Sequence, residues 1–175
     1  GGGGDGVTAM KQVKRAVISA IENAGCGAEE AYSAERLRRY ERAAAAVGVR
    51  EAHISGSGVT DYLGRRVDER TQEMVEVYGR RMEVGLSIDI YAPRALGAEG
   101  CETAAENVAQ ALLTALPEGL RLREMHRGET EWDKVSGMFR LCAQAEYAAY
   151  FTAEAAEEET VFTDFVLKGT VKEHE

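Results

Sequence analysis

The stretch RRMEVGLSIDIYA, residues 80–92, decides the fold of this chain. Apolar side chains alternate with polar or small ones along it, at Met82, Val84, Leu86, Ile88 and Ile90. Because the side chains of a β-strand point alternately to its two faces, this pattern predicts a strand with one buried face and one face in water. Pro93 and Gly97 end the pattern, since proline lacks the N–H that a ladder needs and glycine favours turns.

An amphipathic helix is predicted directly after this strand. From about Glu99 the apolar residues recur at helical spacing until Pro117 stops the run; they are Cys101, Ala105, Val108, Leu112, Ala115 and Leu116. A half-buried strand and an amphipathic helix bury their apolar sides against each other. We therefore expect this helix to pack on one face of a sheet.

A second amphipathic helix is predicted near the N-terminus, with its apolar stripe at Met10, Val13, Val17, Ala20, Ile21 and Ala24. Gly25 should end this helix, because glycine readily adopts the left-handed conformation that closes helices. Residues 1–6 are all glycine apart from Asp5, and we expect them to form a flexible segment.

Further strands are predicted at about 43–54, 61–67, 73–79, 119–126, 137–151 and 160–170, with a short helical turn near 33–41. The inner face of the strand at 137–151 is rich in alanine, as at Ala143 and Ala145. Small side chains let a helix approach closely, so we place both helices over this face. The sequence thus predicts an α+β fold, in which residues 7–175 form a single domain. Its sheet is mostly antiparallel, with two main helices packed on one face and a β-hairpin projecting from it.

Composition excludes several classes of partner. The 175 residues carry a formal net charge of −9 and no long basic block. Phosphate contacts need clustered lysines and arginines, so we expect no specific nucleic-acid binding and no docking on anionic membranes. No apolar run approaches the roughly 20 residues of a membrane span, and no signal-like segment opens the sequence. We therefore expect a soluble protein made in the cytoplasm.

Catalytic and metal-binding patterns are absent from the sequence. Cys26, Cys101 and Cys142 lie far apart without the spacing of a zinc site, and we expect them to be buried thiols without a chemical role. The three histidines are also isolated from one another, at His53, His126 and His174. The Gly/Ser run at 55–58 matches neither a phosphate loop nor a nucleophile elbow. We predict no catalytic, cofactor or metal site, and no enzyme activity.

The predicted hairpin is the candidate assembly surface. Its ten candidate residues are mostly charged, with both signs interspersed: Asp61, Tyr62, Arg65, Arg66, Asp68, Glu69, Arg70, Glu73, Glu76 and Tyr78. Interspersed charges suit a contact whose register is set by complementarity, and an isolated two-stranded hairpin needs support. A mobile, solvated loop is the alternative. Tyr62, Tyr78 and Tyr91 suggest a stacking platform for bases, but aromatic packing or a protein contact fits the acidic balance better.

The order of these elements resembles that of the tail terminator, or tail completion, proteins of long-tailed phages and prophages. The likeness is carried by residues 78–92, the helix from Glu99 to Leu116, the strands at 119–126 and 137–151, and the N-terminal helix. It implies a minor tail protein without enzyme activity that forms a ring, commonly of six copies. Such a ring caps the finished tail tube and joins it to the head.

The partners implied are further copies of this chain, the tail-tube protein and the head–tail connector. The implied location is the virion tail, assembled in the cytoplasm of a bacterial host. Residues 28–66 and the strand at 160–170 are additions to this pattern, and they leave open a different tail or neck component. A host-cell α+β module that binds a small ligand or peptide is the alternative function, and an enzyme with a scattered site is a second one. A ring-shaped oligomer would separate the tail protein from both.

Overall fold

The structure is a computed structural model that describes residues 2–54, 61–67, 72, 74–156 and 166–169. Side chains are described for the same residues except 2–8, 53–54, 61–66, 75–78 and 153–156. The helices are α1 (Gly2–Asn23), α2 (Ala34–Leu37) and α3 (Gly97–Thr114), with a 3-10 turn at Arg94–Leu96. The strands are β1 (Gly27–Glu29), β2 (Ala44–Ile54), β3 (Asp61–Val67), β4 (Met74–Pro93), β5 (Leu120–Arg127), β6 (Glu131–Asp133), β7 (Met138–Ala156) and β8 (Val166–Leu167).

All the described strands join one sheet, which has the order β1-β2-β4-β7-β5. In addition, β3 pairs with β4, while β6 and β8 pair with β7. Every pairing is antiparallel except the parallel pairing of β1 with β2. The predicted fold class, α+β with a mostly antiparallel sheet and two main helices, is confirmed.

Strands β4 and β7 form the spine of the sheet. They pair without interruption from Val75 opposite Ala156 to Pro93 opposite Met138. The sequence predicted two strands here, at 73–79 and from 80 onward, but the structure has a single strand of 20 residues. Gly79 lies within it and pairs with residues on both neighbouring strands. Glycine by itself weakens a strand. Here the hydrogen bonds to both neighbouring strands keep the backbone at Gly79 extended.

The hydrophobic core lies between the spine and the helices α1 and α3. Leu86 and Ile88 on β4 lie opposite Ala145 and Ala143 on β7, and all four are buried. Val108 on α3 belongs to the same cluster of buried side chains, as do Val13, Val17 and Ile21 on α1. Both helices lie on the face of the sheet that carries Ala143 and Ala145, as predicted. Helix α3 contacts β7 itself, whereas α1 contacts β1, β2 and β8.

Helix α1 is longer than predicted. Its helical range begins at Gly2, so it includes most of the stretch 1–6 for which the sequence predicts flexibility. A helix that is already nucleated extends at the cost of ordering one residue for each new hydrogen bond. The flexibility of this stretch stays a prediction. At the other end, Gly25 has a φ of 90°, which matches the predicted role of this glycine in closing the helix.

Residues 27–54 add a small second cluster on the opposite face of the sheet. Helix α2 is capped by Ser33, whose hydroxyl accepts a hydrogen bond of 3.1 Å from the backbone N–H of Arg36. Leu37, Ala44 and Met138 pack there beside the rings of Tyr32, Tyr40 and Tyr91. The predicted helical turn near 33–41 and the strand at 43–54 are confirmed, although the turn is shorter. Strand β1 was missed, because three residues are too few to show a period.

The last described strand, β8, contacts both the sheet and helix α1. Val166 and Leu167 pair with Thr152 and Phe151 of β7. Leu167 is fully buried, and its backbone N–H donates a 2.8 Å hydrogen bond to the side-chain oxygen of Gln12 on α1. The predicted strand at 160–170 is therefore found at residues 166–167; most of its remaining residues lie outside the described part of the chain.

Candidate assembly surface

The predicted hairpin is present in the structure as β3 and the first part of β4. Asp61 pairs with Gly79, Tyr62 with Tyr78, and the register shifts by one residue before Gly64. Farther along, Arg65 lies opposite Glu76 and Arg66 opposite Val75 in the backbone ladder. The other four candidate residues lie outside the described residues; they are Asp68, Glu69, Arg70 and Glu73.

The ribbon has three strands rather than the two that the sequence predicted. Residues 75–79 of β4 pair with β3 on one edge and with residues 152–156 of β7 on the other. Strand β7 runs to Ala156, beyond its predicted end at 151. The support that an isolated hairpin lacks therefore comes from β7. The prediction missed it because the sequence at 152–156, TAEAA, is dominated by alanine and glutamate, which are poor strand formers.

This three-stranded ribbon continues beyond the last core residues that the structure describes on the spine. Among the described side chains, the last core members along the spine are Met82 on β4 and Phe151 on β7. Five further residue pairs, 75–79 with 152–156, lie beyond them. At about 3.3 Å per residue the ribbon extends by about 17 Å. No described strand pairs with the outer edge of β3.

The described end of the ribbon is apolar, which the list of charged candidates did not anticipate. Val67 and Met74 lie opposite each other in the ladder. Their side chains are 48% and 42% exposed. These two neighbouring side chains give the described end of the ribbon a small apolar surface. The sequence feature that could have indicated their exposure is their position directly beside the polar turn.

The face of the sheet away from α1 and α3 is crossed by ion pairs, and we call it the open face. Arg50 of β2 pairs with Glu146 of β7. Arg123 of β5 lies 2.6 Å from Glu83 of β4 between charged atoms. Gly85 lies beside these pairs. Because glycine has no side chain, the side chains of Arg50 and Glu51 can lie over it; a Cβ at this position would be 2.9 Å from the Cγ of Glu51.

The open face is thus organised by contacts within one subunit. Asp89 and Arg140 add a further pair at 3.0 Å, and this hydrogen bond raises the pKa of the Arg140 guanidinium. The side chains of these ion pairs are all partly exposed, so each pair contributes little to stability in water. Their effect is to orient the charged side chains on the face.

The cysteines do not all follow the prediction of buried thiols. Cys26 and Cys101 are buried, and burial raises the pKa of Cys26 to about 11. Cys142 is exposed on the open face, which corrects the prediction. It occupies an outward position in the alternation of β7, opposite Asp89. Partial burial and the neighbouring Asp89 raise the pKa of the Cys142 thiol, so the thiolate is disfavoured at neutral pH.

The three tyrosines do not form one platform. Tyr62 and Tyr78 lie opposite each other in the ribbon. Tyr91 lies 13 residues farther along β4 than Tyr78, a separation of about 40 Å along an extended strand. Tyr91 belongs to the small second cluster, where Arg140 lies 5.8 Å from the centre of its ring. For Tyr91 the aromatic-packing interpretation therefore holds.

Two further surfaces were missed by sequence reasoning, because both join distant parts of the chain. One is a groove of about 490 Å³ between α3 and β5, lined by Glu106, Ala109, Leu113, Leu122, Met125 and their neighbours. The other lies at the turn between β6 and β7, where Trp132 and Val135 are exposed. We call them the α3–β5 groove and the turn patch.

Neither a metal site nor a membrane-spanning helix is found among the described residues. Among the described residues, no three His, Cys, Asp or Glu side chains are grouped closely enough to hold a metal ion. The described helices include none with the length and apolarity that a bilayer crossing requires. Comparison of the chain with models of known protein families finds no match, and comparison with curated proteins finds none either.

Proposed function

We propose that this chain is a structural subunit of a phage or prophage tail, which forms a ring that caps or completes the tail tube and joins it to the head. The observation that carries the proposal is the ribbon of β3, β4 and β7. It continues about 17 Å beyond the last core residues that the structure describes along the spine, and its described end carries the exposed pair Val67 and Met74. Among the described residues, no strand pairs with the outer edge of β3.

A ring provides partners for such surfaces. In a closed ring each copy offers one surface to the preceding copy and a different one to the next. The candidate residues on the ribbon carry charges of both signs, among them Arg65 and Glu76. Complementary charges fix the register of a contact more than its strength. The ribbon is therefore our choice for one contact between copies or with the tail tube.

The acidic balance agrees with a channel through which DNA passes. The formal net charge is −9, and like charge disfavours lasting contacts with phosphates. A tail ring assembled in a bacterial host needs no cofactor and no catalytic group. Its partners would be further copies of itself, the tail-tube protein and the head–tail connector.

The first experiment measures assembly of the purified chain. Size-exclusion chromatography with light scattering should show a defined oligomer, and negative-stain electron microscopy should show rings. Val67→Asp combined with Met74→Asp should shift the mass towards the monomer, because two carboxylates would be desolvated in the contact. Ser19→Asp, on the exposed side of α1, is the matched control and should leave the oligomer intact. A folded monomer at all concentrations would contradict the ring.

The α3–β5 groove favours a second candidate, a binding module for a small ligand or peptide. Its volume of about 490 Å³ lies within the range of ligand sites, and Leu113 in its wall is 66% exposed. A peptide or small-molecule screen monitored by thermal shift would test it. Saturable binding by a monomer, abolished by Leu113→Asp, would favour the binding module over the tail ring.

A further inference from the structure

Strand β8 is a short strand that other elements hold in place. Its two residues, Val166 and Leu167, pair with β7, and two residues are fewer than a strand usually has. The backbone N–H of Lys168 donates a 2.9 Å hydrogen bond to the carbonyl of Tyr150 on β7, and the Lys168 carbonyl accepts one from the N–H of Gly119. Gly119 lies directly before β5. The end of β8 therefore bridges the edge of β7 and the turn between α3 and β5.

Two glycines leave the room that this bridge needs. A Cβ at Gly119 would lie 2.6 Å from both the backbone nitrogen and the backbone oxygen of Lys168. A Cβ at Gly169 would lie 2.6 Å from the backbone nitrogen of Glu118. Glycine is the residue that lets two backbones approach so closely. The φ of Gly169 is 92°, whereas Gly119 is outside the left-handed region, so at Gly119 space alone demands glycine.

Helix α1 is fastened to the same strand. The backbone N–H of Leu167 donates a 2.8 Å hydrogen bond to the side-chain oxygen of Gln12 on α1. This side chain satisfies a buried N–H that a neighbouring strand would otherwise satisfy. Leu167 belongs to the main buried cluster together with Val13, Val17 and Ile21 of α1. The helix also contacts β1 and β2, which lie towards the other edge of the sheet. Strand β8 therefore supports α1 on the β7 side.

The spine is held by far more extensive contacts than β8. Strands β4 and β7 pair without interruption from Val75 to Pro93 of β4, and α3 packs directly on β7. Proteins open in contiguous cooperative units, whose opening free energies range from near zero up to that of global unfolding. A unit fastened by a two-residue strand belongs to the low end of this range, and a long central ladder belongs to the high end.

We infer that β8 is a strap that locks α1 onto the sheet, and that β8 and α1 open together while the spine stays folded. The strap is closed when the backbone of Lys168 lies against Gly119 and Leu167 is buried in the core. Opening uncovers the edge of β7 at residues 150–152 and the apolar side of α1. Strand edges and apolar faces are surfaces on which proteins associate, so the strap controls whether these are available. The inference does not rest on the proposed ring.

Hydrogen–deuterium exchange followed by mass spectrometry tests the strap. Gly119→Ala places a methyl group against the backbone of Lys168, so β8 must move away. Backbone amides of residues 13–21 in α1 and 166–168 at β8 should then exchange faster by about tenfold or more, because local opening governs their exchange. The amides of residues 82–92 in the spine should keep their exchange rates.

Gly128→Ala is the matched control at the other end of β5. A Cβ at Gly128 would lie 3.4 Å from the carbonyl oxygen of Cys142, which is an ordinary contact, so its exchange pattern should equal that of the unaltered protein. A second variant, Gln12→Ala, removes the hydrogen bond between α1 and β8 without crowding the strand. It should speed exchange in the same two segments, and it decides the test if Gly119→Ala does not fold.

Three outcomes would overturn the strap. Faster exchange of β8 alone, with α1 still protected, would separate the two elements. Equal acceleration of β8, α1 and the spine would mean that the protein opens globally and not at the strap. Unchanged exchange in the variants that fold would mean that β8 does not lock α1. The proposed ring is tested separately, by the mass of the oligomer, and would survive any of these results.

Discussion

Ala143→Leu probes the packing of α3 against the spine. Ala143 is buried on the inner face of β7, opposite Ile88 of β4 and Arg127 of β5. Leucine adds three carbons to a layer that belongs to the same core as Cys101 and Val108 of α3. Overpacking of this kind costs about 1–3 kcal/mol in the free energy of unfolding. For a chain of this size each kcal/mol lowers the melting temperature by about 2–4 °C.

We therefore expect the melting temperature of Ala143→Leu to fall by about 2–12 °C when followed by far-ultraviolet circular dichroism. Ala52→Leu is the matched control, since Ala52 is an exposed position in strand β2 and should accept leucine without loss. If both variants melted together with the unaltered protein, α3 would not approach this part of the sheet as closely as we describe.

Other predictions concern the C-terminal strand, a buried hydroxyl, the thiols and DNA. Leu167→Ala should lower stability by about 2–5 kcal/mol in urea, since it empties a fully buried site; an unchanged midpoint would mean that β8 does not hold the core. Tyr147→Phe should match or slightly exceed the stability of the unaltered protein by calorimetry, because the buried hydroxyl has no hydrogen-bond partner among the described residues. A marked loss would reveal a partner. A thiol-reactive dye should label Cys142 alone in the folded protein, slowly at neutral pH and faster as the pH rises, because its pKa is raised. Rapid labelling of Cys26 or Cys101 without unfolding would contradict their burial. Gel shifts should detect no binding of duplex DNA near physiological salt, and a salt-sensitive shift at low-micromolar protein would refute this.

Local periodicity in the sequence was enough to find the main elements. The alternation at 80–92 and the helical spacing at 99–116 predicted a strand and a helix that the structure contains as parts of β4 and α3. Burial enforces these periods, because each element turns one side towards the core. The alternation also placed Cys142 on the outward side of β7. Its exposure contradicts only the general expectation that free cysteines are buried.

Some strands form because a neighbouring strand pairs with them and not because of a hydrophobic period, and these strands were not visible in the sequence. Strands β1 and β6 have three residues each, and they are held by β2 and β7. The extension of β7 to Ala156 contradicts local strand propensity. It exists because β4 supplies ladder bonds along its whole length. Tertiary context decides strand formation more strongly than intrinsic preference does.

The turn patch and the α3–β5 groove were decided almost wholly by tertiary structure. Arg38 and Val135 are 97 residues apart in the sequence, yet a hydrogen bond joins them at the edge of the turn patch. The α3–β5 groove combines Leu113 with Met125 across the turn that separates helix from strand. The sequence showed each charge and each apolar side chain. Their grouping on one surface follows from how the sheet brings distant segments together.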